Sequence, residues 1–269
     1  MKIIETRIRS KRDTDIPVTI VEADAPSKLL LCIHGFKANR TEDGRFLTVA
    51  KALAECGVCT IMPGFPGCDV SNEDFINYSL RNCIDDIDTS FAYMMDHYDL
   101  DQENVGMIGY SMGGRLTSLY IAEHPEITCI GFWAAALEDG FGDEGVFLGE
   151  HVEVMKKEAF EKGCFNFHNL FDDTWIRLSR ELIEDYEEKR PSAGLNRYKG
   201  AAIIVHGDED STVPYRVAKL GYAALKETKE KKLYCVKGAD HGFGAWNERP
   251  DLSKQLTDET VSFFREWFA

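Results

Sequence analysis

Two short stretches at the start of the chain alternate between apolar and polar positions. Ile4, Thr6 and Ile8 share one face, and Val18 and Ile20 repeat the period, so strands are predicted over 3–9 and 17–23 with Asp13-Thr14-Asp15 as the turn. The pattern then changes. Lys28 to Ile33 and Val58 to Met62 are continuous apolar runs, as expected of strands covered on both faces. Between them Phe46, Val49, Ala50, Leu53 and Ala54 recur at helical spacing, and Gly57 ends that helix. Pro63 to Gly67 reads as a loop, and a helix is predicted over 77–98, with Ile84, Ile87, Phe91 and Met94 on one face.

The same alternation continues beyond. Strands are predicted at 104–108, 127–134, 201–205 and 232–236, with helices at 112–123, 215–226 and 257–268. Strand–helix alternation with buried strands predicts an α/β fold: a mostly parallel, twisted sheet of about eight strands flanked by helices. The alternation fails between Leu137 and Asn196. There, helices are predicted at about 149–162 and 174–189, separated by the aromatic-rich stretch Cys164 to Phe171. The division expected is a core over 1–136, a small helical cap inserted at 137–196, and the rest of the core over 197–269.

Charge narrows the function. The net charge of −15 disfavours nucleic acid and anionic membrane surfaces as partners. More than half of it lies between Glu138 and Arg190, where 15 acidic residues face 7 basic ones; a solvated helix face accounts for most of that. The first residues carry no apolar leader and no run is long enough to span a bilayer, so a soluble, cytoplasmic protein is expected. Cys56 and Cys59 spell C-x-x-C, but Cys59 falls in an apolar strand and no second pair completes a zinc site. The eight cysteines are expected to be reduced and mostly buried.

The chemistry gathers at strand ends. Gly109-Tyr110-Ser111-Met112-Gly113 closes a strand and opens a helix, which lifts the Ser111 hydroxyl out of the sheet. Alone, such a pattern arises by chance in roughly one chain in ten of this length. Two later loops change its meaning. A serine hydroxyl needs a base, and the base needs a carboxylate. His241 lies in the loop Gly238 to Phe243, and Asp208, Glu209 and Asp210 crowd the loop after the strand at 201–205. Asp210, nearest the next helix, is the expected acid; Asp208 is the alternative, otherwise a brace for its own loop. The backbone N–H groups of Met112 and of Phe36, after His34-Gly35, are the expected oxyanion donors. His34 and His206 stand before glycines at strand ends and are read as loop supports.

With these residues in hand, the chain resembles the α/β-hydrolase superfamily over essentially its full length. It is most similar to the small bacterial feruloyl (cinnamoyl) esterases, through His34-Gly35-Phe36, Gly109 to Gly114, His206 to Asp210 with Val213-Pro214, and Asp240-His241-Gly242. Pro63 to Asp69 stands where that group carries a Gly-His-Gly loop. The His241 loop also resembles that of dienelactone hydrolases, which typically carry cysteine at the Ser111 position.

The resemblance implies Ser111, Asp210 and His241 as the triad of a serine carboxylic-ester hydrolase. The expected partner is a small-molecule ester, with no metal and no organic cofactor. Phe141, Phe147, Phe167, Phe171 and Trp175 are candidate pocket walls, or else the cap's own small core. An aminopeptidase-like relative, with Glu187-Glu188 holding an amine, and a silent hydrolase scaffold used for binding are the rival readings.

Overall fold

The computed structural model describes residues 1–141, 149–169 and 172–269. Strands β1 (Lys2–Arg9) and β2 (Asp15–Glu22) form an antiparallel hairpin. The chain continues through β3 (Lys28–Ile33), α1 (Arg45–Ala54), β4 (Val58–Pro63), α2 (Leu80–His97), β5 (Val105–Tyr110), α3 (Met112–Tyr120) and β6 (Ile127–Trp133). Next come α4 (Val152–Lys162), β7 (Cys164–Asn169), β8 (Thr174–Ser179), α5 (Arg180–Glu188) and α6 (Pro191–Leu195). It closes with β9 (Ala201–Gly207), α7 (Tyr215–Ala224), β10 (Glu230–Val236) and α8 (Pro250–Trp267). No helix among the described residues is long and apolar enough to cross a membrane.

Eight strands form one sheet in the order β1-β2-β4-β3-β5-β6-β9-β10. β2 runs antiparallel to β4, and every pairing from β4 to β10 is parallel. Every residue of β4 and β5 is buried, as their unbroken apolar runs require. α1 and α8 pack together on one face, while α2, α3, α6 and α7 form the layer on the other. β5 displays the division. Gly106 faces Phe264 of α8, whereas Gly109, of opposite parity along the strand, faces α3.

The strand order positions the site. From β3 the chain crosses to β4 on one side, then returns to β5 on the other. β3 and β5 are hydrogen-bonded neighbours, Leu29 opposite Val105 through to Ile33 opposite Gly109. Their carboxyl ends therefore diverge into loops at a switch point, where open α/β sheets leave a crevice.

Three expectations change. The helix predicted at 174–189 is instead strand β8 followed by α5, and Cys164 to Asn169 is strand β7 rather than a linker. The two strands pair antiparallel with Phe165 opposite Leu178 and Phe167 opposite Ile176. Asn166, His168 and Arg177 take the other face. This period-two alternation sets the structure, and the density of aromatics disguised it. Helix α8 begins at Pro250, seven residues before the predicted start. Proline suits the first turn, and Leu252, alone among the polar Asp251, Ser253, Lys254 and Gln255, is the one buried residue that marks it. The hairpin strand β2 begins at Asp15, two residues early, where it pairs with Arg9.

Candidate active site

Ser111 sits between the last residue of β5 and the first of α3, at φ 53 and ψ −116. A non-glycine residue at positive φ is strained and persists only where its surroundings fix it. Here they do. Ser111 N–H donates to Trp133 O at 2.9 Å, and its carbonyl accepts from the N–H groups of Gly114 and Ala136, each at 3.0 Å. The flanking glycines are steric requirements. A Cβ on Gly109 would lie 2.4 Å from Gly113 O, and one on Gly113 only 1.9 Å from Ile33 O. Gly113→Ala is accordingly expected to destabilise the fold by about 3 kcal/mol or more, lowering the melting temperature by about 6–12 °C. An unchanged melting curve would show that α3 does not press on β3 in this way.

His241 follows β10 and reaches back over the sheet edge. Its Nε2 lies 3.0 Å from Ser111 Oγ, and its Nδ1 lies 2.8 Å from Asp210 Oδ2. An ionised carboxylate only accepts, so Nδ1 carries the proton and Nε2 faces the serine hydroxyl as an acceptor. Asp210 Oδ1 accepts from the backbone N–H groups of Thr212 (2.9 Å) and Val213 (2.8 Å). Burial alone would raise the Asp210 pKa, but hydrogen bonds from His206 and His241 outweigh it and hold it down at about 2. Asp208 faces elsewhere: it accepts from Lys237 Nζ at 2.9 Å and Gly238 N–H at 2.7 Å, bracing the loops. Of the two acids left open by the sequence, only Asp210 contacts His241.

The two histidines read as loop supports lie close to the site. His206, fully buried, places Nε2 2.7 Å from Val213 O and 3.2 Å from Asp210 Oδ2, so it shares the acid with His241. Its i,i+4 spacing to Asp210 was the available signal. His34 donates from Nδ1 to Gly35 O at 2.7 Å and accepts at Nε2 from Phe65 N–H at 3.2 Å. Burial lowers its pKa to about 4, so it stays neutral and ties the loop after β3 to the loop after β4.

Of the two expected oxyanion donors, Met112 directly follows Ser111, and Phe36 follows Gly35, which packs against it. Met112 opens α3, and its N–H has no acceptor among the described residues. Gly35, the residue before Phe36, packs so tightly that a Cβ there would lie 3.1 Å from the Tyr110 ring and 3.4 Å from Ser111 Cβ. Glu42, which no sequence motif marks, is buried and accepts the Gly35 N–H at 2.7 Å. Burial pushes its carboxyl up to about 7 against the opposing charge of Arg45.

The wall candidates separate. Phe167 meets the Phe36 ring edge-on at 5.8 Å, and Phe36 also contacts Phe75 and Tyr78. Phe141 stacks on Tyr186 at 4.9 Å; both line a small cavity of about 20 Å³ with Arg115 and Val213. Tyr186 O–H donates to Met112 Sδ at 3.1 Å, joining α5 to the start of α3. Trp175 is on the hairpin face opposite Phe167, 68% exposed and stacked on His168; it forms no wall with Phe36. Phe147 and Phe171 lie outside the described residues. Trp246, which no motif marked, stands 6.0 Å from the His241 ring and is largely exposed.

Comparison with known proteins adds the family. The model of the prolyl oligopeptidase family matches residues 44–269. Among solved structures, the fold is similar to Est1E from Butyrivibrio proteoclasticus, solved with ferulic acid bound. The TM-score is 0.75 and the identity 19%, over 97% of this chain and 98% of that one. A putative hydrolase from Agrobacterium vitis gives 0.78 at 19% identity, over 98% and 100% of the chains. An esterase from Exiguobacterium antarcticum gives 0.69 at 18%, over 97% and 100%. At such identities the likeness is one of fold. The family match covers most of the chain and the architecture agrees with it: the chain belongs to the prolyl oligopeptidase family and is a hydrolase of the α/β-hydrolase superfamily.

Proposed function

We propose that the chain is a serine carboxylic-ester hydrolase that works through an acyl-enzyme. One observation carries this: Ser111, His241 and Asp210 form an unbroken hydrogen-bonded chain with the serine at a strained strand–helix turn. Ser111 Oγ would attack the ester carbonyl as His241 Nε2 takes its proton. The oxyanion would rest on the Phe36 and Met112 amides, and His241 would return the proton to the leaving alcohol. Water, activated by the same histidine, would then release the acid. Every proton in this scheme moves between Ser111, His241, substrate and water.

The acyl group is proposed to be flat and aromatic, of the hydroxycinnamoyl type. Phe36, whose amide would bind the oxyanion, contacts the rings of Phe75, Tyr78 and Phe167, giving an aromatic environment beside the reacting carbonyl. Est1E, similar in fold, was solved with ferulic acid. In this scheme residues 137–196 act as a cap that supplies Phe141, Phe167 and Tyr186.

The family match favours a second reading, cleavage of amide bonds. The proposed amine holders do not support it: Glu187 pairs with Lys156 at 3.1 Å and Glu188 is exposed. Incubation with a fluorophosphonate probe, followed by peptide mapping, is expected to label Ser111. Methyl ferulate and short p-nitrophenyl esters are expected to turn over faster than amino-acyl amides. Faster amide turnover would favour the peptidase; no label and no turnover would favour a binding scaffold.

A further inference from the structure

A buried ion pair lies behind the site, where the proposed chemistry does not use it. Glu42 and Arg45 are 2% and 8% exposed, with Glu42 Oε2 3.2 Å from Arg45 Nη2. Their remaining bonds go to the loops that carry the reacting groups. Glu42 Oε1 accepts the N–H of Gly35, the residue before Phe36, at 2.7 Å. Arg45 Nη1 donates to the carbonyl of Gly242, the residue after His241, at 2.9 Å. Arg45 Nε donates to Glu42 O at 3.0 Å, which closes the pair on itself. The guanidinium also lies 5.0 Å from the centre of the Tyr110 ring, and Tyr110 O–H donates to His241 O at 2.8 Å. One side-chain pair thus touches the backbone on both sides of Ser111.

We propose that Glu42 and Arg45 are positioning residues, which hold the Gly35–Phe36 amides and the His241 loop in register with Ser111. The inference rests on the proposed serine mechanism, and it extends that mechanism to residues outside the triad and the oxyanion donors.

Fold stability does not account for the arrangement. Arg45 is the first residue of α1, and a cation at a helix N-terminus opposes the helix dipole. Glu42 and Asp43 both adopt positive φ, at 49° and 53°, followed by Gly44 at 85°. Two consecutive non-glycine residues in that region are strained, and strain of this kind persists where other contacts fix the backbone. A buried ion pair is itself weak evidence of stability, because desolvation offsets much of the attraction. What it supplies is direction: planar, multiply bonded groups that fix two loops against one another.

The test uses the full chain, with active sites counted by fluorophosphonate labelling and turnover measured on p-nitrophenyl acetate. Glu42→Ala removes the Gly35 acceptor, and kcat per labelled serine is expected to fall by about 10²-fold with KM within twofold, since small misplacement of a catalytic group has that effect. The affinity for phenylboronic acid, which forms a tetrahedral adduct on a serine, is expected to weaken as well. Glu42→Gln keeps an acceptor for Gly35 and is expected to restore kcat to within about tenfold of wild type. Should Glu42→Ala fail to fold, Arg45→Lys serves in its place: lysine keeps the charge but cannot span both carbonyls, and about a tenfold loss of kcat is expected.

Values of kcat per labelled serine within twofold of wild type in Glu42→Ala, or in Arg45→Lys should Glu42→Ala not fold, with only the melting temperature lowered, overturn the proposal. A wild-type protein that takes no phosphonate label contradicts the serine mechanism instead.

Discussion

Ser111→Ala is expected to lower kcat on short p-nitrophenyl esters by about 10⁵–10⁶-fold while leaving KM within a few-fold. The substitution removes the atom on which the proposed acyl-enzyme would form. It leaves the His241–Asp210 pair, the Met112 and Phe36 amides and the aromatic contacts of Phe36 in place. In the proposed mechanism such a site would still bind ester, and the loss would fall on the chemical step. The fold should scarcely register the change. Alanine keeps the Cβ that the turn already accommodates, and the lost hydroxyl contributes one partly buried hydrogen bond, worth about 1 kcal/mol. Melting curves should therefore nearly coincide while turnover and phosphonate labelling vanish together. Turnover within tenfold of wild type would remove Ser111 from the mechanism.

The difference between what the chain spells and what it conceals follows from where each partner lies. β3, β4 and β5 are legible because burial on both faces leaves few polar positions to interrupt their apolar runs. The serine turn is legible because its geometry permits only glycine at 109 and 113, a constraint written within five residues. The hairpin β7–β8 is hard to read from sequence because its short alternation competes with aromatic residues on both faces, Phe165 and Phe167 on one and Trp175 on the other.

Glu42 was illegible for a different reason. An acid in a polar loop ordinarily faces water, and this one is buried only because Gly35 and Arg45 converge on it in space. His206, at a strand end before glycine, does support its loop through Val213 O, but its contact with Asp210 depends on a loop folding back over it. Local patterns announce groups that a turn or strand requires. Groups required by another loop stay silent.

Asp210→Asn is expected to lower kcat by about 10⁴-fold, or roughly 5.5 kcal/mol of activation free energy, with little effect on KM. The reason lies in which way the new amide must point. Asp210 Oδ1 accepts two backbone N–H groups, from Thr212 and Val213, and only the carbonyl oxygen of asparagine can replace it. The amide nitrogen is then forced toward His241 Nδ1, where Oδ2 now accepts at 2.8 Å. A donor there obliges Nδ1 to become the acceptor and moves the imidazole proton to Nε2, facing Ser111. The histidine would then present a proton to the serine instead of a lone pair, and the base would be lost with its position unchanged.

Asp208→Asn supplies the control. Asp208 bonds to Lys237 and the Gly238 backbone and not to His241, so kcat should stay within about threefold of wild type. A larger loss at 208 than at 210 would transfer the role of acid to Asp208 and would mean that the His241 loop rearranges when substrate binds.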